Sequence, residues 1–250
     1  MTTRTLNSPS RWAEDSLTDF FDEMRKNQYA TFYNKQIVND LIEIESCFRL
    51  ILKDPINPRP WFPLNFMLRA HSAYLAACSL TLAGDCYNSF SLLRNCLECT
   101  MYGVYIGGNE ERAKTWLERN DSIESYRRMK LEYKISTLSS HLGAISTPLN
   151  IWFKSIYEHT IDYGSHPNEL GFSSSSKIEQ GEGEKKFLTI YLHGDDPALQ
   201  WGLKMTLHAG LWSLLAFRLI YAAKFELLGV SERLDMLCAK YKASDIPALR

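Results

Sequence analysis

The sequence lacks several features that would assign it to a familiar class of protein. It has no excess of basic residues, because 28 Lys and Arg stand against 29 Asp and Glu, so no global positive field would attract a nucleic acid. The apolar stretches 70–84, 86–93 and 205–217, which have no charged residue, are shorter than the roughly 20 residues of a membrane-spanning helix. We therefore expect no membrane association, and any contact with nucleic acid must be local.

The motifs of common enzyme classes are also missing. The chain contains no Gly-x-x-x-x-Gly-Lys phosphate loop, no Gly-x-Ser-x-Gly elbow and no His-Glu-x-x-His or Glu-x-x-His metal motif. Cys96 and Cys99 have Cys-x-x-Cys spacing, but no second such pair accompanies them, which favours packing in the core over zinc binding. We expect neither a metal nor a cofactor.

Residues 1–10 contain no apolar stretch of the length found in signal peptides. The six cysteines lie mostly within apolar helical patterns, where cysteine behaves as a small hydrophobic residue. The sequence therefore predicts a cytoplasmic protein with reduced thiols.

What is present is a helical pattern over most of the chain. Hydrophobic residues make up 45% of the sequence, and apolar positions recur at steps of three and four, as on the faces of α-helices. Two segments between residues 64 and 106 are apolar on nearly every face and are separated at Gly84-Asp85, which favours a position at the centre of a bundle. The fold class predicted is all-α, a multi-helix bundle of about eight helices.

Two composition changes divide the chain. Residues 54–63 hold four of the nine prolines, so we predict a helical arm over 1–60, as helices 12–26 and 29–53, and a bundle domain over 61–250. Residues 171–184 are rich in Ser and Gly, and the run that follows is β-branched and aromatic, which predicts a small inserted β-hairpin near 171–192. Asp196-Pro197 then predicts the start of a long apolar helix.

Arg94 and Glu98 are the most informative pair. They are the only charged residues between positions 86 and 109, and their i,i+4 spacing places them on one side of a helix. Charges in apolar surroundings are normally paired because desolvation of an unpaired charge is costly. Either the two form a structural strut, or the carboxylate holds the guanidinium ready for a phosphate or carboxylate ligand.

A second polar cluster follows a predicted helix end. His166 is followed by a proline, and the side chains of Asp162, Ser165 and Asn168 could orient its imidazole, as a general base or ligand-binding histidine requires. Tyr163 lies in the same segment. The simpler alternative is that His166 caps the last carbonyls of the helix. His159, further back, is expected at the surface.

Two segments, Ser91-Leu92-Leu93-Arg94-Asn95-Cys96-Leu97-Glu98 and Tyr163-Gly164-Ser165-His166-Pro167-Asn168, resemble a bacterial family of uncharacterised helical proteins related to HEPN domains. That family carries a Leu-Leu-Arg-x-x-x-Glu helix and a Ser-x-x-His-Pro-type element before a short variable insertion. The resemblance spans roughly residues 64–228. It implies a homodimeric helical bundle and, in many members, a metal-independent ribonuclease of defence and toxin systems.

The chain departs from this family in one respect. HEPN ribonucleases carry Arg-x(4 to 6)-His on a single helix, whereas the nearest basic side chain upstream of the predicted His166 site is Lys154. Activity would require Arg94 to supply the positive charge from another helix. The resemblance then implies His166, Arg94 and Asp162 as catalytic residues, with Glu98, Tyr163, Ser165 and Asn168 binding the ligand.

Three functions remain open on the sequence alone. The first is binding or processing of RNA or a phosphate-containing ligand at this composite site. The second is a non-catalytic homodimeric module that binds or regulates a protein partner, with Arg94 and Glu98 as an internal strut. The third is a small-molecule sensor with a pocket formed by aromatic side chains, namely Tyr87, Tyr102, Tyr105, Trp201 and Trp212.

Overall fold

The computed structural model describes residues 8–53, 55, 58–165, 169–181 and 184–246. Within these ranges it contains eleven α-helices and one two-stranded antiparallel sheet, which confirms the all-α bundle with an inserted hairpin. The elements are α1 (Ser16–Asn34), α2 (Ile37–Leu52), α3 (Phe62–Leu82), α4 (Cys86–Ile106), α5 (Glu110–Leu117), α6 (Ile123–Glu132), α7 (Ile135–Ile145), α8 (Thr147–Thr160), α9 (Glu169–Ser175), β1 (Ser176–Gln180), β2 (Lys185–Thr189), α10 (Pro197–Leu227) and α11 (Val230–Lys240).

Helices α3, α4 and α10 form the centre of the bundle. The turn between α3 and α4 follows the predicted break: Gly84 has φ +87°, a conformation that favours glycine, and the Asp85 carboxylate accepts from the backbone N–H of Asn88. Helix α10 begins as predicted, with Asp196 as its cap and a proline in its first turn. Helices α2 and α8 pack against this centre, so side chains from all five helices share one hydrophobic core.

Helix α10 is long and apolar enough to span a membrane by length and composition, but 78% of its most apolar window is buried inside the structure. Burial of this extent is typical of the core helix of a soluble protein. Trp212 and Phe217 are both fully buried.

The first two helices differ from the predicted boundaries. The break was predicted between residues 26 and 29, yet α1 continues to Asn34 and the chain turns at 35–36. The amide side chains of Asn27 and Gln28 explain the difference, because they donate to the carbonyl oxygens of Ala83 and Ser79 at the end of α3. Helix α1 therefore continues through Asn27 and Gln28 and ends at Asn34.

The predicted arm over 1–60 is not uniform. Only Thr31 of α1 is buried, whereas α2 buries six residues against α10 and α3. Helix α2 thus belongs to the common core. The division of the chain at residue 60 stays a prediction.

The hairpin is shorter than its predicted range and follows a helix that the sequence did not suggest. Strand β1 pairs with β2 in the register Ser176 to Thr189 and Ile178 to Phe187. The preceding serine-rich stretch forms α9 (Glu169–Ser175) instead of the predicted start of the hairpin. The hydroxyls of Ser173 and Ser175 donate to the main-chain carbonyls of Leu170 and Gly171, about one turn earlier. A serine hydroxyl inside a helix commonly finds its acceptor in this way.

Candidate functional site

Arg94 and Glu98 form the predicted pair on α4. Arg94 Nε donates to Glu98 Oε1 at 2.8 Å, and the two side chains are 25% and 32% exposed. The pair therefore lies at the rim of the bundle, partly shielded from water. This position strengthens the interaction relative to a fully exposed i,i+4 pair.

A third member of the cluster comes from α8. The Tyr157 hydroxyl donates to the same Glu98 oxygen at 2.8 Å, and the Tyr157 ring lies 5.3 Å from the guanidinium carbon of Arg94. Tyr157 was given no role from the sequence. Its position four residues after Phe153 on the apolar face of α8 is the signal that could have identified it, because that face must contact a neighbouring helix.

The contacts set the protonation of the cluster. Burial opposes the positive charge, but the hydrogen bond to Glu98 and the negative charge near Arg94 outweigh it, so the pKa of Arg94 lies above its ordinary value. Burial and then the hydrogen bond to Glu98 raise the pKa of Tyr157 to about 12. Arg94 is therefore charged and Tyr157 is a neutral donor across the physiological range.

The segment that leads to the second polar cluster packs against α4, the helix that carries Arg94. Helix α8 continues into a π-helical turn, Ile161–Ser165, and the Ser91 hydroxyl donates to the carbonyl oxygen of Gly164 at 2.6 Å. Ser91 precedes Arg94 by three residues, about one helical turn. A Cβ at Gly164 would lie 2.4 Å from the Cβ of Phe90, so only glycine allows this close approach.

Three of the predicted ligand-binding or catalytic residues, Asp162, Tyr163 and Ser165, are in this turn. The Tyr163 ring stacks on Phe90 with centroids 5.6 Å apart, and Asp162 is half-buried. Ser165 ends the turn. His166 and Asn168 lie outside the described residues, so the approach of the imidazole to the guanidinium stays a prediction.

His159 is not at the surface, contrary to expectation. It is 3% exposed, and its ring meets Trp201 of α10 edge-on at 5.0 Å. Helix α8 contacts both α4 and α10, and for this reason two sides of the helix are covered instead of one.

The aromatic residues of the sensor hypothesis do not gather around one cavity. Trp212 is fully buried against Phe153, whereas Tyr105 and Trp201 line two different surface cavities. A cavity of about 770 Å³ lies between residues 59–62, the end of α4 and α5. Arg94 does not line it, so cavity size alone would not have identified the polar cluster.

The described residues provide no group of three His, Cys, Asp or Glu that could hold a metal ion. All six cysteines are free thiols. Cys96 is fully buried, and burial raises its pKa to about 12. A thiol with this pKa is neutral at physiological pH, which suits its packing in the core.

Comparison with known proteins provides no relative for this arrangement. No family model, no curated protein and no solved structure matches the chain. The relationship to HEPN domains therefore stays a prediction from the two short sequence segments.

Proposed function

We propose that this protein is a HEPN-like helical protein that binds or processes RNA or another phosphate-containing ligand at the rim of α4. The observation that carries the proposal is the hydrogen bond from Ser91 to Gly164. It fixes the turn that leads to His166 beside α4, one helical turn before Arg94. This contact supports the proposal, because it joins the described turn before His166 to the helix that carries the guanidinium.

The chemistry assigned to each residue follows from its type and setting. Arg94 is a permanent cation whose Nε is held by Glu98, and a planar guanidinium of fixed orientation suits recognition of phosphate oxygens. His166 is the general acid or base, and Arg94 stabilises negative charge in the transition state. Asp162 orients the imidazole, while Tyr163, Ser165 and Asn168 contact the ligand. A π-helical turn supports this placement, since such turns are frequent at functional sites.

The test uses a mixed pool of labelled RNA with the wild-type chain, Arg94→Lys and His166→Ala, each checked for folding by circular dichroism. Arg94→Lys keeps the charge but loses the planar geometry, so we expect binding at least about tenfold weaker. His166→Ala should retain binding and lower the cleavage rate by about 100-fold or more. Arg49→Ala is the control for surface charge, because Arg49 also pairs with a glutamate at i,i+4, Glu45, but its own side chain is 70% exposed.

Equal binding and equal cleavage by all four proteins would refute the proposal. Loss of binding in Arg49→Ala as well would indicate nonspecific attraction of RNA to surface charge. Normal binding with no cleavage by any form would retain the ligand site and exclude the catalytic role of His166.

A second candidate is a non-catalytic homodimeric module that holds a protein partner. It is favoured by the hydrogen bonds that join Arg94 to Glu98 and Glu98 to Tyr157, which suit a strut between α4 and α8. In this case Arg94→Ala destabilises the fold, whereas His166→Ala changes neither folding nor association. Thermal unfolding and measurement of the mass in solution distinguish the two candidates.

A further inference from the structure

We propose that the outer edge of strand β1 pairs with β1 of a second copy of this chain, forming a four-stranded antiparallel sheet across a two-fold axis. The inference specifies the interface of the homodimer described under the second candidate function and does not depend on the Arg94 site. It is carried by the isolation of the hairpin, the direction of its main-chain groups and the order of charges along β1.

The hairpin receives little support from the bundle. All five residues of β1 and four of the five residues of β2 are exposed. Isolated two-stranded hairpins are marginally stable in water, and three or more strands with an apolar face are needed for independent stability. A second hairpin would provide the missing strands.

The hydrogen bonds at both ends of the ladder show which main-chain groups of β1 are directed outward. Ile190 donates to the Ser175 carbonyl, and Gly181 donates to the Glu184 carbonyl. Hydrogen bonding alternates along an antiparallel ladder, so the odd-numbered residues of β1 bond to β2. The even-numbered residues, with Ile178 at their centre, present their N–H and C=O groups at the outer edge.

Symmetric pairing about Ile178 is consistent with these directions. Opposed Ile178 residues of the two copies would exchange two main-chain hydrogen bonds, and Ser176 would pair in the same manner with Gln180 of the other copy. Lys177 would then stand opposite Glu179 of the second copy, once on each side of the axis. Opposite charges in directly opposed positions favour this register.

Strand β2 offers no comparable edge. Its central outward residue is Phe187, and symmetric pairing about Phe187 would place Lys185 opposite Thr189 and Lys186 opposite Leu188, so no opposite charges would meet. Lysine on an exposed edge is a common device against pairing. The choice of β1 over β2 therefore follows from charge.

The same pairing would cover apolar surface. Ile178 and Phe187 are opposite each other on one face of the hairpin and are 55% and 72% exposed. In the four-stranded sheet they would form a continuous stripe, Phe187–Ile178–Ile178–Phe187, across the axis. Contiguous exposed apolar side chains are typical of association surfaces.

Two single substitutions test the register by charge. Lys177→Glu would oppose two glutamates at each contact, and Glu179→Lys would oppose two lysines, so each variant alone should dimerise about tenfold more weakly than the wild type. In an equimolar mixture, both contacts become Glu opposite Lys. We expect the mixture to recover dimers, measured by sedimentation velocity over a concentration series.

Each outcome of the sedimentation experiment tests a different part of the proposal. A wild-type chain that sediments as a monomer at every concentration would exclude the homodimer itself. A wild-type dimer that is unaffected by either substitution would place the interface elsewhere and overturn the β1 pairing. Weak single variants with no recovery on mixing would also reject the proposed register.

Proline substitutions separate edge pairing from damage to the hairpin. Ile178→Pro removes an outward N–H and leaves the ladder to β2 intact, so it should abolish dimerisation. Lys185→Pro is the matched control, because its N–H is directed to the outer edge of β2, and it should dimerise like the wild type. Equal dimerisation by both proline variants would contradict the proposal.

Discussion

The centre of α10 and the hairpin both contain large apolar side chains, but those of α10 are buried in the bundle and those of the hairpin are exposed to solvent. Trp212 is fully buried, whereas Phe187 is 72% exposed. Helix α10 contacts five other helices, namely α2, α3, α4, α8 and α11, while the hairpin contacts α9. Both regions thus contain large apolar side chains, and the number of elements that cover them decides whether those side chains are buried.

The difference separates stability from association. Burial of apolar surface is the main favourable contribution to folding, so the bundle around α10 provides most of the stability. An exposed apolar side chain contributes little until another surface covers it. Substitutions in α10 should thus change unfolding, and substitutions in the hairpin should change interactions with other molecules.

The largest effect is expected for Trp212→Ala. The Trp212 ring packs 5.2 Å from Phe153 between centroids, and its Nε1 donates to the Leu149 carbonyl at 2.9 Å. Removing the ring leaves a cavity and an unsatisfied carbonyl, so we expect a loss of about 4 kcal/mol in the free energy of unfolding. Chemical denaturation measures it.

Trp61→Ala is the control for this change, because Trp61 is 61% exposed. Its loss should be about 1 kcal/mol or less. Equal losses in the two variants would contradict the assignment of stability to the α10 core.

A smaller loss in the free energy of unfolding is expected when acid protonates His208, which is also in α10. Its ring is fully buried against Trp152, and neither ring nitrogen has a hydrogen-bond partner among the described residues. Burial, with a contribution from the charge of Lys204, lowers the pKa of His208 to about 4. The folded state therefore holds the neutral imidazole, and protonation favours unfolding.

The pH dependence follows from this difference in pKa. The stability is fully present above the unfolded pKa of about 6.5 and declines as the pH falls towards 4, by about 3 kcal/mol in total. His208→Leu should reduce this decline, measured as the free energy of unfolding between pH 7.5 and pH 4. An unchanged slope in the variant would assign the acid sensitivity to other groups, such as His71 and His141, whose pKa values are also lowered by burial.

The smallest effect is expected for Phe187→Ser in the hairpin. In dilute protein that sediments as a single chain, the free energy of unfolding should change by no more than about 0.5 kcal/mol, as for most surface positions. A loss of several kcal/mol would show that the hairpin is part of the folded core and would remove the contrast with α10.

Local signals in the sequence predicted much of the fold. Gly84 with Asp85, and Asp196 with the proline after it, each act through their own backbone and side chain, so their helix boundaries can be predicted without knowledge of the tertiary structure. The hydrogen bonds of Asn27 and Gln28 to α3 depend on a distant segment. For this reason the end predicted for the first helix, at residue 26, was wrong.

The candidate site shows the same limit. The pair of Arg94 and Glu98 is separated by one helical turn and could be predicted from spacing. The contact of Tyr157 with Glu98 joins α8 to α4, and the burial of His159 results from contacts on two sides of α8. Neither follows from the sequence around these residues, because both require the packing of the bundle.

The segment that includes α9 and the hairpin is fixed where it leaves the bundle and where it returns. Gly164 accepts from Ser91 before the segment, and after it the His193 N–H donates to the Gly84 carbonyl at 2.8 Å. Because both attachment points belong to the bundle, the residues between them can change in length or be exchanged while the helices keep their arrangement. Related chains could thus differ in what they assemble with and still share the same body, and grafting this segment between two such chains would transfer the choice of partner.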